Sequence, residues 1–293
     1  MSNPPPPALA ALLTRGKRLR IAPAEVSEWA IRAWCAAIGD LNPLYLDQVA
    51  GIAPPPMLQS WVGPGLMVEH EPAASLHAEV RSAFAALGFT AVVATDYAQE
   101  YLADVKVGDR LHESSHVEAI SPLKQTRLGA GHFVTIVFEF FNQVDQEVGR
   151  LRVRTFYFKP ALAETTQPKP AAEVPRAPDC VVIPVTTTLI VAGSIASNDF
   201  EKVHHDRDVA QAQGLRDIIM SIITTTGLVA RAARELFPLN NPIREISLRL
   251  ETPVCPGDTL VFSSETGDAG TNNCTIIGRT EYGRHVRASV VFR

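Results

Sequence analysis

The chain runs twice through the same order of motifs, and that repetition constrains its fold more than any other feature. IGDLNPLYLD (Ile38 to Asp47) is answered by SNDFEKVHHD (Ser197 to Asp206). An apolar, helix-like segment follows in each copy: PMLQSWVGPGLMVEH in the first, DIIMSIITTTGLVARAARELF in the second. Next come VGDRL (Val107 to Leu111) and PGDTL (Pro256 to Leu260), and each copy closes on a strand-like run after Gly-Arg, at Gly149 and Gly283. The spacings agree: Asp40 to Ser60 is 20 and Asp199 to Ser221 is 22; Asp40 to Asp109 is 69 and Asp199 to Asp258 is 59. Matches of this kind, kept in order, mark an internal duplication. The first copy is longer by about ten residues, and EPAASLHAEVRSAFAALGF (Glu71 to Phe89), with a short helical pattern, is the candidate insertion.

The stretch from Pro160 to Pro178 holds five prolines and lacks hydrophobic periodicity. Proline fixes φ and cannot donate to a strand ladder, so the stretch reads as a semi-extended linker. The expected division is therefore 8–160, a linker over 161–178, and 179–293. Strand-like runs are expected at Val181–Val191, Glu245–Val254, Asp258–Thr266, Asn273–Tyr282 and His285–Arg293, separated by Pro-Gly, Gly-Asp and Tyr-Gly turns. A helix is expected over Asp217–Phe237, capped by Asp217. Each half then reads as α+β: one long helix laid on an antiparallel sheet of about five strands.

A net charge of -4 and the absence of a basic stripe argue against nucleic-acid binding. No run approaches the roughly 18 apolar residues of a membrane span, and the N-terminal charges follow the apolar run, the reverse of a signal peptide. Cys35, Cys180, Cys255 and Cys274 form no CxxC pair, so a reducing, cytoplasmic setting and no metal site are expected. Neither GxGxxG, GxxxxGK[ST] nor GxSxG occurs.

The motif order resembles the hot-dog fold, and D-x-N-P-x-H-x-D before the helix resembles the MaoC-like (R)-specific enoyl-CoA hydratases. Asp199, His204 and Asp206 match that pattern, with Glu201 and Lys202 in place of its Asn and Pro. Asp40, Asn42, Pro43 and Asp47 match in the first half, where Tyr45 replaces the histidine. The second half is similar to the small subunits of steroid side-chain enoyl-CoA hydratases. The resemblance implies a tandem hot-dog. Its second half would catalyse reversible hydration of an acyl-CoA thioester, possessing a bulky acyl group, without metal or redox cofactor. Its first half would shape the acyl tunnel without catalysing. It also implies a homodimer of such chains.

Hydration next to a thioester needs a base for water, a proton for Cα, and a donor for the thioester oxygen. The resemblance gives the first tasks to Asp199 and His204, which hold the water between them. His204, five residues after Asp199, fits the family spacing better than His205. It places the oxyanion donor at the backbone N–H of Ser221, where the family has glycine. Tyr45, with an ordinary pKa near 10, is a poor proton shuttle at neutral pH. Tyr45, Met57, Trp61, Met67 and Phe84 are candidates for the tunnel wall. Arg207, Arg216, Lys202 and the RGKRLR run (Arg15 to Arg20) are candidates for CoA contacts. Plain structural roles are open to all of these: turn or helix caps for Asp199, Asp206 and Asp208, core packing for the apolar residues. Other functions also remain open: an acyl-carrier-protein dehydratase, a hot-dog thioesterase, or a non-enzymatic acyl-CoA-binding subunit.

Overall fold

The computed structural model describes residues 4–47, 51–63, 65, 76–126, 128–160, 170, 174, 179–237, 241–265 and 272–293. Its strands are β1 (Arg18–Ile21), β2 (Ala91–Tyr101), β3 (His112–Ile120), β4 (Lys124–Thr126), β5 (Gly129–Phe141), β6 (Glu147–Pro160), β7 (Val181–Pro184), β8 (Ile243–Leu250), β9 (Thr259–Glu265), β10 (Asn273–Thr280) and β11 (Gly283–Phe292). The helices are α1 (Pro7–Ala10), α2 (Glu28–Ile38), α3 (Pro43–Leu46), α4 (Leu76–Ala86), α5 (Thr187–Ala196), α6 (Arg207–Ala212) and α7 (Ile222–Leu236).

All the strands join one antiparallel sheet, in the order β1-β3-β5-β6-β2-β8-β11-β10-β9-β7, with β4 paired to β5. Strands of the first copy fill one side and strands of the second the other, meeting where Tyr97 of β2 lies opposite Leu248 of β8. Inward residues alternate along β5 and β11, as a half-buried strand requires.

α7 runs against β7, β8, β9, β10 and β11 and buries the eight consecutive residues from Ile223 to Ala230, then Ala232 and Ala233. It begins at Ser221, whose hydroxyl accepts from the Thr224 N–H. The expected start at Asp217 is therefore corrected by four residues: Asp217 instead binds Arg207 and the Ile218 N–H. Gly227 lets α2 close in, because a Cβ there would lie 2.4 Å from the Trp34 ring.

One other expectation needs correction. Val181–Val191 is not one strand: β7 stops at Pro184, and Thr187–Ala196 is α5. The Thr186 hydroxyl caps it by accepting from Leu189 N–H, and packing on α2 and α7 overrides the β-branched composition. In the first copy a 3₁₀ helix, Pro55–Trp61, precedes the stretch that matches α7. Pro54, Pro55 and Pro56 remove three N–H donors there. Residue 64 and residues 66–75, with Met67 among them, lie outside the described residues, as does the linker apart from Pro170 and Val174. The Glu71–Phe89 insertion supplies α4, whose Val80 and Phe84 are fully buried.

Candidate active site

Asp199 follows α5 in a short loop, and a 3₁₀ turn, Lys202–His204, brings His204 round to face it. Asp199 Oδ2 lies 3.6 Å from His204 Nε2. His204 Nδ1 sits 2.8 Å from the Ile219 carbonyl oxygen. A carbonyl can only accept, so Nδ1 carries the proton in the neutral ring and the Nε2 lone pair faces Asp199. His205 points elsewhere, its ring edge-on to Phe200 at 6.4 Å.

Burial raises the Asp199 carboxyl above its ordinary range, against the opposing pull of His204, the Glu201 N–H and the Ser221 hydroxyl. Its side chain is 17% exposed. A carboxylate made more basic at a cavity wall has the properties of a general base. The cavity it faces measures about 420 Å³. Phe138, Phe140, Leu151 and Val153 of the first copy form an apolar wall, and His77, Ala78 and Arg81 bring α4 to it. The insertion thus borders the space in front of Asp199.

Three contributors at this site were not read from sequence. The Ser221 hydroxyl favours the charged Asp199 carboxylate, whereas sequence pointed to its N–H alone. Tyr97, at the same cavity, has its hydroxyl held protonated by burial and by the Asp199 charge. Asn198 adopts a left-handed φ of 58° and donates from Nδ2 to the carbonyls of Ser60 (3.2 Å) and Gly63 (3.0 Å). It ties the Asp199 loop to the first copy. The matching residue there, Gly39, also has positive φ, 67°; comparing the two copies at that position was the available signal.

Of the other sequence candidates, Arg20 of the RGKRLR run lines this cavity, and the following ones lie apart from it. Tyr45 and Trp61 line a different one, described below. Met57 and Phe84 are fully buried, and Phe84 stacks on Tyr157 at 4.5 Å. Arg216 forms a two-pronged pair with buried Asp258 (2.7 and 3.1 Å) and stacks on Tyr282 at 3.5 Å. Arg207 pairs with Asp217 at the surface, and Asp206 caps α6. Among the described residues, no group of three or more His, Cys, Asp or Glu is placed to hold a metal. None of their helices is long and apolar enough to cross a membrane.

Residues 171–286 match the MaoC-like domain, and residues 14–155 match the dehydratase domain region of FAS1-like proteins. The 3-oxo-4,17-pregnadiene-20-carboxyl-CoA hydratase beta subunit of Mycobacterium tuberculosis is 42% identical over 105 residues, which are 35% of this chain and 81% of that protein. The chain belongs to the MaoC-like dehydratase family. A probable enoyl-CoA hydratase alpha subunit of Thermomonospora curvata is 38% identical over 156 residues, 50% of this chain and 49% of that one. The chain spans about half the length of the alpha-subunit relatives it matches. The crystal structure of a MaoC-like dehydratase from Phytophthora capsici superposes with a TM-score of 0.72 over 97% of this chain and 98% of that one, at 15% identity. The MaoC-like architecture is thus the hot-dog fold that the resemblance implied.

Proposed function

We propose that this MaoC-like chain is an (R)-specific 2-enoyl-CoA hydratase, working reversibly on a bulky acyl group such as a steroid side chain. The observation that carries it is the buried Asp199 carboxylate facing His204 Nε2 across 3.6 Å at the wall of a partly apolar cavity. A water held between them loses a proton as its oxygen attacks Cβ. The dyad returns a proton to Cα on the same face, so addition is syn. The N–H of Ser221, at the start of α7, supports the charge that develops on the thioester oxygen. The groups used are those of the chain, and the proposed mechanism calls on no metal or redox cofactor. The relatives matched include proteins named as alpha and as beta subunits. This chain carries both repeats itself, which supports a self-sufficient enzyme; the proposal includes a cytoplasmic setting and assembly as a homodimer.

The test is loss of enoyl-thioester absorbance with enoyl-CoA substrates from short to steroid-sized. Turnover is expected, with a fall of about 10²–10⁴-fold in Asp199→Asn and in His204→Gln. The acid limb of kcat/KM should lie above the ordinary carboxylate range, as the raised Asp199 pKa dictates. Chiral analysis of the product reads the (R) assignment, and light scattering reads the dimer. Release of free thiol would point to a thioesterase. Tight acyl-CoA binding without turnover would point to a binding subunit that needs a partner chain.

A further inference from the structure

The first copy has its own cavity, at the place matching the Asp199 site. It measures about 660 Å³, larger than the cavity in front of Asp199. Asp40 and Tyr45 line it, five residues apart like Asp199 and His204. Its walls are mostly apolar, including Ile52, Leu58 and Val105. Leu41 and Leu44 carry this lining to the surface, at 78% and 40% exposed. A volume of roughly 300–1,000 Å³ with apolar walls and a few convergent polar groups is the usual form of a small-molecule site.

The polar groups have changed character between the copies. At the second, Asp199 and His204 Nε2 offer lone pairs. At the first, the last turn of α7 delivers Arg234, whose Nη1 lies 3.3 Å from Asp40 Oδ2 and whose Nη2 donates to the Tyr45 hydroxyl. Asp40 is thereby paired, and the local charge is balanced. Burial keeps the Tyr45 hydroxyl protonated well above its usual range. Because its oxygen accepts from Arg234, its own proton is left to give. The head of this cavity is therefore a hydrogen-bond donor with no proton shuttle. It suits a neutral carbonyl oxygen on an apolar body, and it cannot catalyse hydration.

We propose that the first-copy cavity binds a second acyl thioester, holding the carbonyl at Tyr45 and Arg234 without turning it over. The thioester class rests on the hydratase reading above; the donor head and apolar wall do not. Occupancy of this cavity would give each chain two acyl-CoA sites, one catalytic and one not.

The probe is decanoyl-CoA, which has no double bond to hydrate, titrated by calorimetry into the full chain. Two equivalents are expected for the wild type and for Asp199→Asn. Tyr45→Phe deletes one hydroxyl within an unchanged ring and should weaken one of the two sites about 10-fold or more. Leu44→Trp fills the half-exposed mouth and should leave one equivalent. Thermal unfolding and hydration of crotonyl-CoA, run on the same preparations, keep folding and the hydratase reading separate from this outcome. One equivalent in the wild type overturns the proposal. So do two equivalents that neither variant affects, which would place the second molecule elsewhere. Absent hydration with two equivalents bound would sink the hydratase reading and leave the second site standing.

Discussion

Asn198 is the residue on which the geometry of Asp199 turns. An L-residue in the left-handed region costs roughly 1–2 kcal/mol unless it is glycine or, less often, asparagine or aspartate. The first copy meets this requirement with Gly39 and the second with Asn198. Asparagine adds what glycine cannot, the two donations to Ser60 and Gly63 carbonyls. Asn198→Gly should keep the turn but release the loop from the first copy, lowering kcat by about 10-fold or more with little change in KM, since small misplacements of reacting groups can cost up to about 10²-fold. Asn198→Ala should lose the same tether and also unfold more easily than the glycine variant, by about 1–2 kcal/mol. Steady-state kinetics and denaturant melts read the two effects apart. Equal stability of the glycine and alanine variants would mean that the backbone conformation is not what asparagine supplies. The Asp–His spacing was legible because five residues bring both to one loop. The tether was not, because its acceptors are backbone carbonyls more than 130 positions away.

At the scale of elements, β2 carries a buried polar line between the two cavities. Tyr97, Gln99 and Tyr101 face one side of the strand, two residues apart. The Tyr101 hydroxyl donates to Gln99 Oε1 at 2.5 Å, and Gln99 Nε2 donates to the Tyr97 oxygen at 2.8 Å. Tyr97 borders the Asp199 cavity and Tyr101 the Asp40 cavity. Gln99 is wholly buried, and its amide serves both tyrosines. Gln99→Leu matches its size but strands two phenols, each at a cost of about 1–3 kcal/mol. A melting temperature lowered by several degrees is expected; an unchanged one would show that the line contributes no stability. The pattern Y-A-Q-E-Y gave no hint of this, because polar residues on alternate positions read equally as a solvated face. The same ambiguity misled at Val181–Val191. Valine, threonine and isoleucine suit a strand by composition, and it took Pro184 and the Thr186 cap, with α2 and α7 to pack against, to make the second part a helix. The closing strands were legible because Gly-Arg turns and alternation fix them locally.

Across the whole molecule, α7 connects the two sites. Its fifteen residues span about 22 Å at 1.5 Å per residue. Ser221 at one end acts on the charge of Asp199, and Arg234 near the other meets Asp40 and Tyr45. Between them His285 pins the helix to the sheet. Its Nδ1 donates to the Thr252 carbonyl at 2.7 Å, and its Nε2 accepts from the Thr225 hydroxyl at 3.0 Å. Both ring nitrogens are satisfied in the neutral form, and burial pushes the pKa from 6.5 down to about 4. In the first copy the matching position after Gly-Arg is Leu151, so the pin belongs to the second copy alone. A histidine whose folded pKa is depressed stabilises the fold above its unfolded value, and that contribution is lost as pH falls from about 6.5 towards 4. The full shift corresponds to about 3 kcal/mol at roughly 1.4 kcal/mol per unit. Between pH 7 and pH 5 the wild type should therefore lose about 2 kcal/mol more than His285→Gln, whose amide can donate to Thr252 and accept from Thr225 without titrating. Denaturant melts at the two pH values measure this directly. If the two proteins lose stability in parallel, His285 is not the group that makes α7, and with it both cavities, sensitive to acid.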